Sequence, residues 1–243
     1  MKQIVRQAQG LAILVILGAA GCTDSDRAAS DPYEAANRQV HAFNKAADRA
    51  VLRPVATAYG EVVPGPARQG ITNLASNLSL PGSALNHALQ GDASDATGTI
   101  LRFGMNTLFG FGGLLDPAAD AGLYARDTDF GETLARWGVR EGAYVELPLL
   151  GPSSERDLAG RIVDAVIDPV GNALSGDAAT ANAALQVTNV VGLRYELRAI
   201  VDALLYESAD SYAAQRIAYL QNKAAGISGG TSSDDLEDPY AFE

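Results

Sequence analysis

The chain is poor in chemically versatile residues: one cysteine, two histidines, one tryptophan and two methionines in 243 positions. With a single thiol no intrachain disulfide can form, so burial and hydrogen bonding must hold the fold. His41 and His87 are the only imidazoles, and neither has a partner four residues on, which removes the helical zinc motif. No Gly-Lys pair exists, so there is no phosphate loop of the Gly-x-x-x-x-Gly-Lys kind. Positive charge is also short: 18 basic residues face 29 acidic ones, a net charge of −11. That balance argues against nucleic acid as a partner and against polybasic docking on anionic lipid. Any lipid contact is therefore expected to be apolar.

The N-terminus carries Lys2 and Arg6, then an apolar run from Leu11 to Ala20, then Ala19-Ala20-Gly21-Cys22. A charged start, a short apolar stretch and small residues before a cleavage point make an export signal. The run is well below the ~18–20 apolar residues a bilayer-crossing helix needs. Small residues directly before the only cysteine point to a lipoprotein, with residues 1–21 removed and Cys22 becoming the lipid attachment site. One acyl chain binds a membrane only marginally, whereas two or three anchor it. Thr23 rather than Asp after the cysteine favours the outer membrane over the inner. Residues 22–30 are small and polar and are expected to be a flexible tether. Losing Lys2 and Arg6 leaves 16 basic residues against 29 acidic, a net of −13, with five acids in the last ten residues. Residues 226–243 are expected to be a disordered acidic tail.

Between them, residues 31–225 are expected to form one all-α domain. Asp31-Pro32-Tyr33-Glu34 is expected to open a helix, with Asp31 as cap, on which Val40, Phe43, Ala47 and Val51 share a stripe that ends near Pro54. Ile71, Leu74 and Leu78 mark a second helix, Pro81-Gly82-Ser83 is expected to start a separate short one, and Gly91 to close it. Asp92 with Asp95, Asp129 with Glu132, and Ser154 with Asp157 are capping pairs for three further helices. Tyr144 to Leu150 alternates briefly, but Pro148 limits it to an edge piece. A long helical pattern follows from Asp177 to Ala225, with expected interruptions at Gly192 and near Ser208 to Ser211.

Few groups in this pattern suggest chemistry. His41 lies off the first apolar stripe and is expected to be solvated, and His87, between Leu85 and Leu89, to be structural. Asp127, Asp129 and Glu132 lack the glycine and glutamate spacing of a calcium loop, and Ser153-Ser154 with Arg156 and Asp157 reads as a cap. No metal site, cofactor or catalytic residue is expected, and the chain is not expected to be an enzyme. The unusual segment is Phe109-Gly110-Phe111-Gly112-Gly113-Leu114-Leu115, too glycine-rich for a helix. Two readings are open for it: a buried tight turn, or a flexible apolar hairpin that touches lipid.

Several stretches in order resemble the MlaA (VacJ) family of outer-membrane lipoproteins. They include Asp31-Pro32-Tyr33-Glu34, Asn37-Arg38, Phe43-Asn44, Arg53-Pro54-Val55, Leu89-Gln90-Gly91, Arg102-Phe103, Asn106-Thr107, Gly112-Gly113, Asp129-Phe130-Gly131, Trp137-Gly138-Val139 and Leu147-Pro148-Leu149-Leu150-Gly151-Pro152-Ser153. The resemblance implies a ring-like bundle of amphipathic helices in the inner leaflet of the outer membrane, around a central channel. Through that channel, phospholipids misplaced in the outer leaflet pass to a periplasmic carrier, MlaC, and family members bind trimeric porins. By the same resemblance, Phe109, Phe111, Leu114 and Leu115 become candidates for acyl contact, with Gly110, Gly112 and Gly113 as a hinge. Phe43 and Asn44 in the first helix become candidates for channel integrity. The chain departs from the family pattern at Ala143, Glu146 and Ser211. The competing reading is a structural, porin-associated lipoprotein that moves no lipid.

Overall fold

The computed structural model of the chain describes residues 31–227; the signal segment, Cys22, the tether up to Ser30 and the acidic stretch from Ser228 onward lie outside the described residues. The elements run α1 (Glu34–Ala47), a π turn (Asp48–Leu52), α2 (Arg53–Val62), α3 (Gly65–Leu89), α4 (Ala93–Phe109), a 3-10 turn (Phe111–Gly113), α5 (Pro117–Asp120) and α6 (Phe130–Arg136). Then come β1 (Tyr144–Leu147), β2 (Gly151–Ser154), α7 (Glu155–Ile167), α8 (Pro169–Ala173), α9 (Asp177–Glu196), α10 (Arg198–Asp202), a second π turn (Ala203–Glu207) and α11 (Ser211–Ile227). The three capping pairs form as the sequence predicts. Asp92 accepts from the Asp95 N–H at 3.0 Å, Asp129 from Glu132 at 2.8 Å and the Ser154 hydroxyl from Asp157 at 3.1 Å. Each satisfies an N–H that the first turn of a helix leaves without a partner.

Prolines and Gly192 behave differently from expectation. The first helix does not end at Pro54, because the π turn before it uses a wider bond, Arg53 N–H to Asp48 carbonyl, and Pro54 sits in the first turn of α2, where no N–H is required. Pro81 lies inside α3 rather than starting a new helix. α3 touches α4, α6, α8 and α9, and that packing outweighs the lost helical bond. Gly192 does not interrupt α9. It gives room to Tyr59, whose ring lies 3.5 Å from where a Cβ would stand. Asp31 is no side-chain cap either: its carbonyl accepts from Glu34 N–H at 3.2 Å, and its carboxylate accepts from Asn37 at 3.1 Å.

β1 and β2 pair antiparallel, with Tyr144 opposite Ser154 and Leu147 opposite Gly151. The second strand was not foreseen. Asn44 pins the connecting turn, donating to the Leu147 carbonyl at 2.9 Å and accepting from Leu149 N–H at 2.7 Å. The elements touch in a closed circuit. α1 packs on β1, β2 on α7, α7 on α6, α6 on α3, α3 on α9, and α9 on α2, which rejoins α1 through the π turn. Polar bonds shut the seam between the first and last helices: Tyr212 and Arg216 of α11 meet the Asp31 carboxylate, and Arg38 meets Asp210 at 2.9 Å.

The partition of side chains is inverted relative to a water-soluble domain. Nine hydrophobic residues are buried, six of them alanines, while seventeen polar or charged residues are buried among the described residues. Large apolar side chains lie outside, including Val51, Val55, Val62, Ile100, Leu101, Leu108, Val187, Leu197 and Ile200. The stripe of the first helix follows suit, for Phe43 is 54% and Val51 62% exposed, whereas Asn37 and His41 are buried. His41 is thus not solvated. In lipid surroundings the apolar stripe is the outer one, so a residue off that stripe points inward. Among the described residues no helix is long and apolar enough to cross a membrane.

Candidate functional site

An open cleft of about 370 Å³ lies between the middle of α3, the α7–α8 junction and α9. That is within the range of small-ligand sites, roughly 300–1,000 Å³. Its wall mixes the apolar Leu78, Ile167, Pro169 and Val170 with Ser79, Ser83, Asn86, Thr128, Asp164, Asp168, Asn182 and Gln186. Helical spacing explains the polar side. Ser79, Ser83 and Asn86 fall four and three residues apart on α3, and Asn182 and Gln186 four apart on α9. Pro81-Gly82 lets α3 approach α8, where the Pro169 ring is 4.0 Å from the position of a Gly82 Cβ.

Part of the wall is fixed. Asn86 donates to Asp164 at 2.9 Å, Asp164 also accepts the Phe130 N–H at 2.9 Å, and Asp168 accepts from Val170 N–H at 3.0 Å. Part is unspent: the side-chain oxygen of Asn182 is buried without a hydrogen-bond partner. An unpaired buried polar atom costs about 1–3 kcal/mol, so this group marks a surface that expects water or a polar solute. The sequence reading missed this wall. The amides Asn182 and Gln186 at i and i+4 were the available signal, but apolar periodicity does not reveal them.

The seven residues of the glycine-rich segment lie outside the cleft. α4 ends at Phe109, Gly110 caps it, and the turn continues with positive φ at Phe111 (53°), Gly112 (76°) and Gly113 (107°). Its backbone is held from α3: Asn77 donates to the Gly112 carbonyl at 3.4 Å and Asn73 to the Leu114 carbonyl at 3.1 Å. Its side chains are presented outward, with Phe109 72%, Phe111 79%, Leu114 43% and Leu115 53% exposed. It is not a buried turn: the apolar side chains of the second reading are exposed as a crown, on a turn that forms no strands and whose backbone is pinned to α3. Phe43 is exposed on α1, and Asn44 serves the β-turn described above.

Two clusters resemble chemical sites without their essentials. His41 Nε2 is 2.9 Å from the Ser211 hydroxyl and His41 Nδ1 is 3.6 Å from Glu146, the connectivity of a serine triad. The N–H groups of Tyr212 and Ala213, which could face an oxyanion beside Ser211, are both taken by the Asp210 carboxylate at 3.1 Å. Lys45 donates to the same hydroxyl at 3.1 Å. His87, Asp92 and Asp95 bring ligand-type atoms within 4.8 Å of one another. Arg126 already serves that corner, however, pairing with Asp95 at 3.0 Å and accepting from His87 through its carbonyl at 2.8 Å. His87 is structural, as its sequence context predicts.

Comparison with known proteins places these features. A model of the MlaA lipoprotein family matches residues 29–226. The chain is similar to the intermembrane phospholipid transport system lipoprotein MlaA of Escherichia coli K12, with 34% identity over 92% of this chain and 88% of that one. The protein of the same name from Haemophilus influenzae is 31% identical over 93% and 92%. A solved structure described as the structural basis for maintenance of bacterial outer membrane lipid asymmetry superposes with a TM-score of 0.69 at 38% identity, covering 79% of this chain and 96% of that one.

Proposed function

Because the chain belongs to the MlaA lipoprotein family, we propose that it is a non-enzymatic conduit for phospholipid in the outer membrane, maintaining the lipid asymmetry of that bilayer. The observation that supports this reading is the inverted side-chain distribution around a polar cleft. A phospholipid in transit must keep its headgroup solvated while its tails stay in an apolar phase, because an unpaired charged group in hydrocarbon costs several kcal/mol. A body with apolar side chains outside and amides, hydroxyls and carboxylates within supplies both phases. Ser79, Ser83, Asn182 and Gln186 offer hydrogen bonds to the headgroup. The crown of Phe109, Phe111, Leu114 and Leu115 takes up acyl chains at the mouth of the path. No nucleotide site is involved, so transfer is downhill or driven by a partner.

In the same reading Cys22 carries the lipid that holds the body on the periplasmic side of the outer membrane. A trimeric porin and a periplasmic lipid carrier of the MlaC kind are its protein partners. Two experiments test it. In a deletion strain, the wild-type gene restores detergent resistance and clears phospholipid from the cell surface. Asn182→Trp, which fills the cleft, and Gly112→Val, which strains the turn, do neither at equal protein levels. Normal surface lipid with the tryptophan variant would overturn the conduit. For the anchor, Cys22→Ala leaves unprocessed or soluble protein, and a cleaved form that still fractionates with the outer membrane contradicts it.

A further inference from the structure

A second hollow, sharing no lining residue with the cleft, runs from the first π turn along α2 and is bordered by Arg49, Arg53, Pro54, Thr57, Ala58 and Glu61, with a volume of about 470 Å³. Its cationic end is crowded. Lys45, Arg49 and Arg53 all lie 4.9–5.6 Å from the centre of one ring, that of Tyr206. The Tyr206 hydroxyl is spent on Asp48 at 2.7 Å, and Arg53 on Asp202 at 2.7 Å. Lys45 turns to Ser211. Arg49 is exposed and, among the described residues, pairs with no carboxylate. Two guanidinium groups held beside one aromatic ring border a single opening, and guanidinium N–H groups not already spent can take a phosphate in paired hydrogen bonds.

The other end of the hollow is Glu61, eight residues beyond Arg53 and hence about 12 Å along the helix axis, a gap that two long side chains narrow. Glu61 makes no ion pair among the described residues. A purely anionic ligand would meet this carboxylate unfavourably, and a chain of net charge −11 would repel an anionic surface as a whole. A zwitterion fits both ends. Pro54 and Ala58 line the hollow between its charged ends, and Val51 and Val55, 62% and 49% exposed on another face of the same segment, mark this stretch of chain as one that meets an apolar phase, where a bilayer lipid rather than a free metabolite is at hand.

We propose that this hollow binds the phosphoethanolamine headgroup of a bilayer phospholipid, the phosphate on Arg49 and Arg53 and the ammonium at Glu61. The site fixes the rotation of the body in the leaflet and is independent of transport through the cleft. It goes beyond the conduit reading and rests on it only for the placement of the body in a lipid leaflet.

The test is native mass spectrometry of the full lipoprotein released from nanodiscs holding equimolar phosphatidylethanolamine and phosphatidylglycerol. The wild type retains phosphatidylethanolamine in roughly five-fold excess, the worth of one interfacial charge contact. Glu61→Gln abolishes the excess, Arg49→Gln lowers retention of both lipids, and Arg49→Lys restores part of it. Arg49 has no ion pair to lose, so its variants keep the helical signal of the wild type. Equal retention of both lipids by the wild type, or an unchanged excess in Glu61→Gln, overturns the proposal. Displacement of the retained lipid by soluble glycerophosphoethanolamine at equal concentration overturns the commitment to a bilayer lipid. Asn182→Trp leaves the retention ratio unchanged, so failure of transport and failure of this site read out separately.

Discussion

Gly60 and Gly192 face each other's tyrosines across the contact of α2 with α9, yet they differ in what they tolerate. A Cβ on Gly60 would stand 2.3 Å from the Tyr195 ring, while one on Gly192 would stand at an ordinary 3.5 Å from Tyr59. Gly60→Ala is therefore expected to lower stability in detergent micelles by about 1–3 kcal/mol through overpacking. Gly192→Ala is expected to raise it by up to about 1 kcal/mol, through helix propensity alone. Chemical denaturation followed by circular dichroism checks both, and equal effects would refute the asymmetric crossing. A second residue-level prediction concerns the Asp48–Arg194 pair, bonded at 2.7 and 3.0 Å with side chains 8% and 5% exposed. Burial pushes the Asp48 carboxyl up, but the hydrogen bonds from Arg194 and Tyr206 outweigh it and hold the group below its ordinary 3.8. A lowered carboxyl stabilises the fold at every pH above the ordinary value, and that stability drains away as pH falls through the lowered one. Wild-type stability should thus decline on acidification below about pH 4. Arg194→Ala should cost about 3–5 kcal/mol at neutral pH, because the buried Asp48 loses its bidentate cation and keeps only the Tyr206 hydroxyl as a hydrogen-bond partner.

At the scale of elements, what was readable in the sequence was local and what was not was collective. Asp92, Asp129 and Ser154 act within one helical turn, so their caps could be placed exactly where they form. Pro54 and Pro81 were misread because their tolerance comes from elsewhere: a π turn that rearranges the preceding bonds, and four packed neighbours that hold α3 together. β2, Gly151–Ser154, contains Gly, Pro and two serines and has no strand propensity of its own; it exists because β1 and Asn44 fold it back. The cleft was illegible for a related reason, since polar residues on α9 gain meaning as a wall only once Val187 and Val190 are seen exposed on the same helix. α11 is attached in the same collective way. Its later half is held by Asp157, which takes Tyr219 at 2.7 Å and Lys223 at 2.9 Å. Asp157→Ala should therefore speed amide hydrogen exchange in the second half of α11 while leaving α3 and α4 at wild-type rates. Uniform acceleration across all helices would show that the residue matters to the whole fold instead.

For the whole molecule, the inverted distribution makes solubility the first observable. Monomeric soluble domains rarely expose contiguous apolar patches beyond a few hundred Å². Here 26 large apolar side chains are exposed among the described residues, against nine buried hydrophobic ones. The chain is expected to sediment as a monomer in detergent micelles and to associate when detergent is withdrawn. A monodisperse species in plain buffer would contradict a lipid-facing exterior. The family resemblance read from the sequence is confirmed at this scale, and the all-α class with it. The closed circuit has a mechanical consequence. Asp31, the first described residue, is bonded not to α1 alone but to Tyr212 and Arg216 on the last helix. With the lipid proposed at Cys22, a pull arriving at Asp31 is shared at once by the first and last helices instead of falling on α1 alone.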